Sequence, residues 1–313
     1  MKRLALLFLF VTVMSSVVHG ERPNYLRPDS RIVFLGDSIT AAGDFIALIE
    51  ARLRLELGDD CPELINLGLP SETCTGLSEP DHPFPRPDVH ERLGRVLEKA
   101  RPDVVVACYG MNDGIYYPFD LGRFAQYKRG IQDLVQAIEA SGAICILVSP
   151  PPFDPEPFRW QEKLRPRDAE RFAWFAIYEN YHQVIEEYAR WLLSEESLGE
   201  RRIDIHAPIR EHLESGRLTD PGYALSNDGV HMNRGGHRLI AEAILMSWGL
   251  GQPREVSGEL VDRCHARHQV LHRAWLTEVG HKRPGGKPGL PLAEANQKAL
   301  EMEASIKDLL DRL

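Results

Sequence analysis

Arg31-Ile32-Val33-Phe34-Leu35-Gly36-Asp37-Ser38-Ile39-Thr40 passes within ten residues from a continuous apolar run, through a glycine turn, into the approach to a helical pattern. A run without polar alternation suits a strand covered on both faces. Three more runs have this character, at residues 64–67, 103–108 and 144–148, and each ends in a turn signal. Helix-period stretches at 45–57, 89–100 and 124–140 separate them, the last closed by Ser141-Gly142. A weaker fifth strand at 202–205 follows a long helical segment at 167–193, and 235–248 reads as the closing helix. Strands alternating with helices predict an α/β fold built on a parallel, doubly wound sheet. In such sheets ligands bind beyond the carboxyl ends of the strands. The loops Gly36-Asp37-Ser38, residues 68–72 and Gly110-Met111-Asn112-Asp113 are therefore expected to converge on one edge.

With 313 residues, 43% apolar and 27% charged, the chain has the composition of a globular protein with one large core, and disorder or a disulfide scaffold is excluded. Lys2 and Arg3 followed by the apolar residues 4–13 read as a signal peptide over 1–20, too short in its apolar part to span a bilayer. An exported protein, periplasmic or extracellular, follows, with no stable membrane insertion once the leader is removed. The mature chain holds 35 basic against 46 acidic residues, a balance of −11. That charge disfavours nucleic acid, which requires a basic field. Cys61, Cys74, Cys108, Cys145 and Cys264 lack zinc-type spacing, and Cys61 with Cys74 is the one pairing worth testing. Cys108 and Cys145 fall within strand-like runs and are expected to be buried.

A serine hydroxyl needs a base, a group that orients the base, and donors for the developing oxyanion. Ser38 lies at a strand-to-helix turn, where a helix N-terminus favours negative charge. Asp228-Gly229-Val230-His231 sets an acid and an imidazole three positions apart just before a helix. That spacing lets the carboxylate fix the imidazole tautomer. Either signal alone is weak; their order along one predicted sheet domain gives them weight. No G-x-S-x-G elbow is present, because Ser38 is followed by Ile39 and Thr40.

Four blocks in order resemble the SGNH hydrolases, or GDSL esterase/lipase family: residues 32–40, residues 65–73, Gly110-Met111-Asn112-Asp113, and Asp228-Gly229-Val230-His231-Met232-Asn233. The resemblance spans about residues 31–248. It implies a flavodoxin-like three-layer α/β/α sandwich with a mainly parallel sheet, Ser38 as nucleophile, His231 as general base and Asp228 as its orienting acid. It further implies that the Ser38 backbone N–H and the Asn112 amide donate to the oxyanion. Members commonly carry glycine at the remaining donor position in the second block, where this chain has Ser71; Gly68, three residues earlier, is the alternative. Serine serves there if its φ/ψ is accessible.

The expected organisation is a leader at 1–20, an esterase domain at 21–250 and a helical C-terminal extension at 251–313. Leu300, Ile306, Leu309, Leu310 and Leu313 form the expected packing face of the last helix. Residues 275–284 have a motif-like look without an evident chemical role. The loop at 150–167 mixes Phe153, Phe158 and Trp160 with Arg159, Glu162, Lys163, Arg165 and Arg167, which suits a sugar better than a lipid tail. Tyr109, Ile115, Tyr116 and Tyr117 either line a pocket or pack. The histidines outside Asp228–His231 form no metal pattern, and no metal or organic cofactor is required. The expected reaction is ester hydrolysis through an acyl-enzyme, on a small-molecule or polysaccharide ester, with removal of acetyl or similar short groups from carbohydrate favoured. A lysophospholipase-like or lipase-like acylhydrolase, a non-catalytic carbohydrate-binding relative and a metal-dependent deacetylase are the alternatives.

Overall fold

The computed structural model describes residues 23–198, 201–251 and 254–312, so the expected leader at 1–20 lies outside the described residues. Seven strands occur among them: β1 (Arg31–Gly36), β2 (Glu63–Asn66), β3 (Val104–Cys108), β4 (Ile144–Val148), β5 (Leu164–Arg165), β6 (Ile177–Tyr178) and β7 (Arg202–Ile203). Five form one parallel sheet in the order β2-β1-β3-β4-β7, while β5 and β6 pair separately. Counted within the sheet this is the flavodoxin-like order 2-1-3-4-5, and the chain reverses direction of travel between β1 and β3.

The helices are α1 (Ser38–Ala42), α2 (Asp44–Leu57), α3 (Val89–Ala100), α4 (Leu121–Ala140), α5 (Glu156–Trp160), α6 (Tyr181–Ser194), α7 (His206–Thr219), α8 (Arg234–Ser247), α9 (Gly258–Val279) and α10 (Leu292–Leu310). Successive side chains of β1 point to opposite faces. Ile32 and Phe34 pack with α2, α7 and α8, whereas Val33 and Leu35 pack with α3, α4 and α6. Three layers result. Local sequence explains the flanking helices: Asp88 caps α3 by accepting from His90 N–H, and Val89, Leu93, Val96 and Ala100 form its buried stripe.

Three expected elements differ. The helical segment expected at 167–193 begins only at Tyr181; before it the chain is extended and turned, and includes β6. Partners outside the segment satisfy its backbone: Trp174 N–H donates to Glu79 Oε1 (3.3 Å) and Tyr178 N–H to Tyr116 O (3.0 Å). The strand expected at 202–205 stops at Ile203, because the Asp204 carboxylate accepts from His206 and Ala207 N–H (2.8 and 3.2 Å) and starts α7, a helix not expected from the pattern. In the 150–167 loop, two of the aromatics expected to suit a sugar, Phe153 and Phe158, are core residues instead. Cys145 is buried as expected, but Cys108 only partly, and all five thiols are free, so the Cys61–Cys74 pairing is not made. Cys74 Sγ instead lies 3.4 Å from Asp113 Oδ1.

The extension folds back onto the sheet domain. Helix α9 packs on α2, along the outer edge of β2 and against α3, while α10 lies on α9. Ala47, Ala51, Leu260, Cys264, Ile306 and Leu309 form the apolar seam. Leu300, placed on the packing face by its spacing, is 65% exposed; Ala295 and Ala299 are buried in its stead, and Leu313 lies outside the described residues. Beside the seam the buried Glu50 carboxylate meets Arg54 (2.6 Å), Arg267 (3.3 Å) and His268 (2.5 Å). Against the opposing effect of burial, the His268, Arg54 and Arg267 side chains around it hold it well below the usual carboxylate range. Removing one member of such a cluster strands the others' charge. Glu50→Ala is expected to cost about 3–5 kcal/mol, read as a lower urea midpoint at unchanged m-value.

Candidate active site

Beyond Gly36 the first two strands continue side by side: Leu67 N–H donates to Phe34 O (2.9 Å) and Leu69 N–H to Gly36 O (2.8 Å). On the other side, Gly36 lies opposite Cys108 in the β1–β3 register. The loops bearing Ser38, Ser71 and Asn112 therefore leave three adjacent strands at the β1/β3 reversal. Two glycines make the crowding possible. A Cβ on Gly36 would stand 2.2 Å from Thr40 Oγ1, and one on Gly68 would stand 2.4 Å from the Ala41 nitrogen.

Ser38 opens α1, capped by Asp37 Oδ1 on Ile39 N–H (2.9 Å). Its Oγ lies 2.9 Å from His231 Nε2, and His231 Nδ1 lies 2.6 Å from Asp228 Oδ2. The other Asp228 oxygen accepts from His231 N–H (2.7 Å), Val230 N–H (3.0 Å) and Ser226 Oγ (3.0 Å). Gly229 lets this turn pass close to the loop after β4, where Asp154 N–H donates to Gly229 O (2.9 Å). With φ +74° and a Cβ position 2.1 Å from Asp154 O, no other residue fits. Arg217 holds Asp154 in turn, at 2.5 Å.

The electrostatics follow from this geometry. The hydrogen bond and charge of Asp228 raise the His231 imidazole above its ordinary value, with burial opposing. Although burial alone would raise Asp228, the bonds from His231 and the turn backbone hold its carboxyl well below the carboxylate range. Burial pushes Asp37 up to about 6. The arrangement can pass a proton from Ser38 Oγ to His231 Nε2 with Asp228 stabilising the imidazolium.

Asn112 is buried, and its orientation is set at both ends. Tyr116 OH donates to Oδ1 (2.9 Å), and Nδ2 donates to Glu72 O (3.2 Å), leaving a second amide hydrogen. The turn delivering Tyr116 places both Ile115 (φ +46°) and Tyr116 (φ +64°) in the left-handed region, a costly backbone for a β-branched residue. In the second block, Gly68 N–H is already bound to Asn66 Oδ1 (2.9 Å). Ser71 has φ +70°, and its N–H has no hydrogen-bond partner among the described residues. Two buried ion pairs escaped the sequence reading. Arg92 grips Glu72 at 2.6 and 2.7 Å while donating to Leu67 O (2.7 Å), and Tyr109 OH donates to the same carboxylate (2.6 Å). Arg86 grips Glu79 at 2.7 Å twice and donates to Ser71 O (3.4 Å). Of the four candidate pocket residues, Tyr109 and Tyr116 are buried in these roles and Ile115 is core.

The profile of the GDSL-like Lipase/Acylhydrolase family matches residues 34–239, more than half of the chain. The chain belongs to this family. It is a carboxylic ester hydrolase. Solved structures with the same fold include a gut microbial diltiazem-metabolizing enzyme (21% identity, TM-score 0.54, 73% of this chain and 48% of that one). Others are a hydrolase from the metagenome of Lake Arreo, Spain (21%, 0.51, 73% and 99%), and a catalytic mutant of an acetylxylan esterase from Geobacillus stearothermophilus (19%, 0.51, 73% and 97%). The chain thus spans about half the length of the first and nearly all of the other two. No curated protein sequence matches. Among the described residues no helix of this GDSL hydrolase is long and apolar enough to cross a membrane.

Three outcomes are expected. Tyr116→Phe frees the Asn112 amide to turn its oxygen inward; with Asn112 in the oxyanion role that the family resemblance implies, kcat on p-nitrophenyl acetate is expected to fall about tenfold or more. Because His231 is raised and works as a base only when neutral, the acid limb of kcat/KM has its midpoint above the ordinary histidine value of about 6.5. Asp228→Asn removes the raising cause, so the residual activity titrates at lower pH.

Proposed function

We propose that this GDSL hydrolase is an exported serine esterase that removes acetyl or similar short acyl groups from carbohydrate through an acyl-enzyme. The observation that carries the mechanism is the unbroken relay from Ser38 Oγ through His231 to Asp228 at 2.9 and 2.6 Å. Ser38 Oγ attacks the ester carbonyl carbon as His231 Nε2 takes its proton. The oxyanion is held by Ser38 N–H, Ser71 N–H and the free amide hydrogen of Asn112. Collapse breaks the bond to the sugar oxygen, which leaves with the proton from His231. Water then attacks the acyl-Ser38 ester, His231 takes a proton from it, and the carboxylic acid departs as Ser38 Oγ recovers that proton. The unpartnered N–H and φ of Ser71, set against the occupied N–H of Gly68, favour Ser71 as the loop donor.

A surface of aromatics and charges tied to the Ser71 loop supports the substrate class. Trp174 and Phe175 are 49% and 44% exposed, in edge-to-face contact at 5.4 Å. Trp174 is mounted through its N–H on Glu79, whose partner Arg86 reaches Ser71, and Arg171 pairs with Asp81. Exposed aromatics set among charges offer faces on which sugar rings stack while the charges keep the surface hydrated. Export rests on the sequence of residues 1–20.

Acetate release from acetylated xylan, measured beside p-nitrophenyl esters of increasing acyl length, tests this reading. Wild type is expected to release acetate and to lose activity sharply beyond short chains. Ser38→Ala is expected to lose at least about 10³-fold in kcat. A long-chain preference would instead mark a lysophospholipase-like enzyme, and a fully active Ser38→Ala protein would remove the nucleophile assignment. Trp174→Ala should raise KM several-fold more on acetylated xylo-oligosaccharide than on p-nitrophenyl acetate.

A further inference from the structure

The motif-like stretch at 275–284 has a place in the fold that explains it. Trp275 is buried between α9 and the sheet domain. Thr277 Oγ1 accepts from Gly289 N–H (2.7 Å), closing the loop between α9 and α10. On α3, Arg95 donates to Val279 O (2.8 Å) and Gly280 O (3.3 Å). The segment so clamped delivers Arg283, whose guanidinium lies 5.2 Å from the Phe84 ring centroid and whose Nε donates to Pro70 O (2.9 Å). Eleven residues earlier, on α9, His272 Nε2 donates to Gly68 O (2.8 Å). Two bonds from the C-terminal extension therefore land on the carbonyls of the loop that carries Ser71.

Pro70 O belongs to the peptide unit whose N–H is that of Ser71. Glu72 N–H donates to Leu69 O (3.1 Å), which closes a four-residue turn with Pro70 and Ser71 at its centre. Proline at the second position and φ +70° at the third define a type II turn. Type II and type I turns differ by a half-rotation of the central peptide, which exchanges the places of Pro70 O and Ser71 N–H. A serine at the third position intrinsically prefers type I, since type II demands the left-handed backbone that glycine adopts freely. The turn is thus held in the conformer its own residue disfavours. Arg283 bonds to the oxygen that would swing away in the flip, and since C=O and N–H of a trans peptide point in opposite directions, it aims Ser71 N–H away from the extension.

We propose that Arg283 is a positioning residue: from the C-terminal extension it locks the Pro70–Ser71 peptide in the type II orientation and so presents Ser71 N–H to the oxyanion. This rests on the reading of Ser71 N–H as an oxyanion donor given under Proposed function. Arg283 touches no reacting atom; it acts through the peptide plane, and the bond to Pro70 O also polarises the N–H at the other end of that amide.

The test is a double-mutant cycle on the full-length chain with p-nitrophenyl acetate, comparing wild type, R283A, S71G and R283A/S71G. R283A is expected to lower kcat about tenfold or more with KM changed by less than about twofold, the mark of an interaction made in the transition state. In the Ser71→Gly background the same substitution is expected to lower kcat by about twofold or less, because glycine holds the type II turn unaided. An equal loss in both backgrounds would mean that Arg283 only docks the extension, and no loss of kcat in either would mean that the peptide needs no lock; each overturns the proposal. Should R283A fail to fold, Arg283→Met keeps the apolar stem against Phe84, removes only the donors and takes its place in the cycle. Wild-type activity that is absent, or independent of Ser38, would overturn the functional reading and this inference together. Ser38-dependent activity with no Arg283–Ser71 coupling overturns the inference alone.

Discussion

A single buried ion pair holds together the ground on which the site stands. Glu72 and Arg92 are both removed from water, and neither is tolerable there without the other. Arg92 comes from α3, so the pair fastens that helix to the loop after β2. Through Leu67 O it also fixes the end of β2, and through Tyr109 OH it reaches the end of β3. The Glu72 carbonyl then receives the Asn112 amide. Three loops that could each wander are thereby referred to one charge cluster, and the positions of Ser71 and Asn112 follow from it.

Three of the five non-glycine residues with positive φ among the described residues gather around the same point, while Arg101 ends α3 and Glu162 follows α5. Ser71, Ile115 and Tyr116 all sit in the left-handed region. Two of them are over-determined by neighbours: Ser71 by Arg86 and the extension, Tyr116 by its bond to Asn112 and by Tyr178 N–H on its carbonyl. Backbone strain of this kind persists only where surrounding contacts outweigh it, and it concentrates where donors must be aimed. Preorganised donors spare the reaction the cost of reorienting them, which makes a rigid and locally unfavourable loop useful in hydrolysis.

Much of this was legible in residue order. The first four strands are continuous apolar runs, and a strand buried on both faces leaves that signature. Ser38, Asp228 and His231 could be named as candidates because the types and order of residues that such chemistry needs are few. What could not be read came from contacts distant in sequence. Residues 167–180 space their apolar side chains like a helix, yet Glu79 and Tyr116 supply partners for an extended backbone. Helix α7 depends on Asp204 and Ser149 bonding its first N–H groups, a start signal placed within what resembled a strand. Arg92 and Glu72 lie twenty residues apart with nothing local to mark them as partners. The preference for Ser71 over Gly68 in the proposed mechanism rests on one bond to Asn66 and one φ angle, neither visible in composition or spacing.

Helices α9 and α10 come after every strand and after the Asp228–His231 turn in the chain. A nascent polypeptide that has emerged as far as α8 holds the entire sheet, the serine and the imidazole. It still leaves the outer edge of β2 unshielded and Pro70 O without its guanidinium. The order of synthesis therefore brings out the helices that cover this edge after the sheet itself, and Ser38 and His231 before the guanidinium that meets Pro70 O.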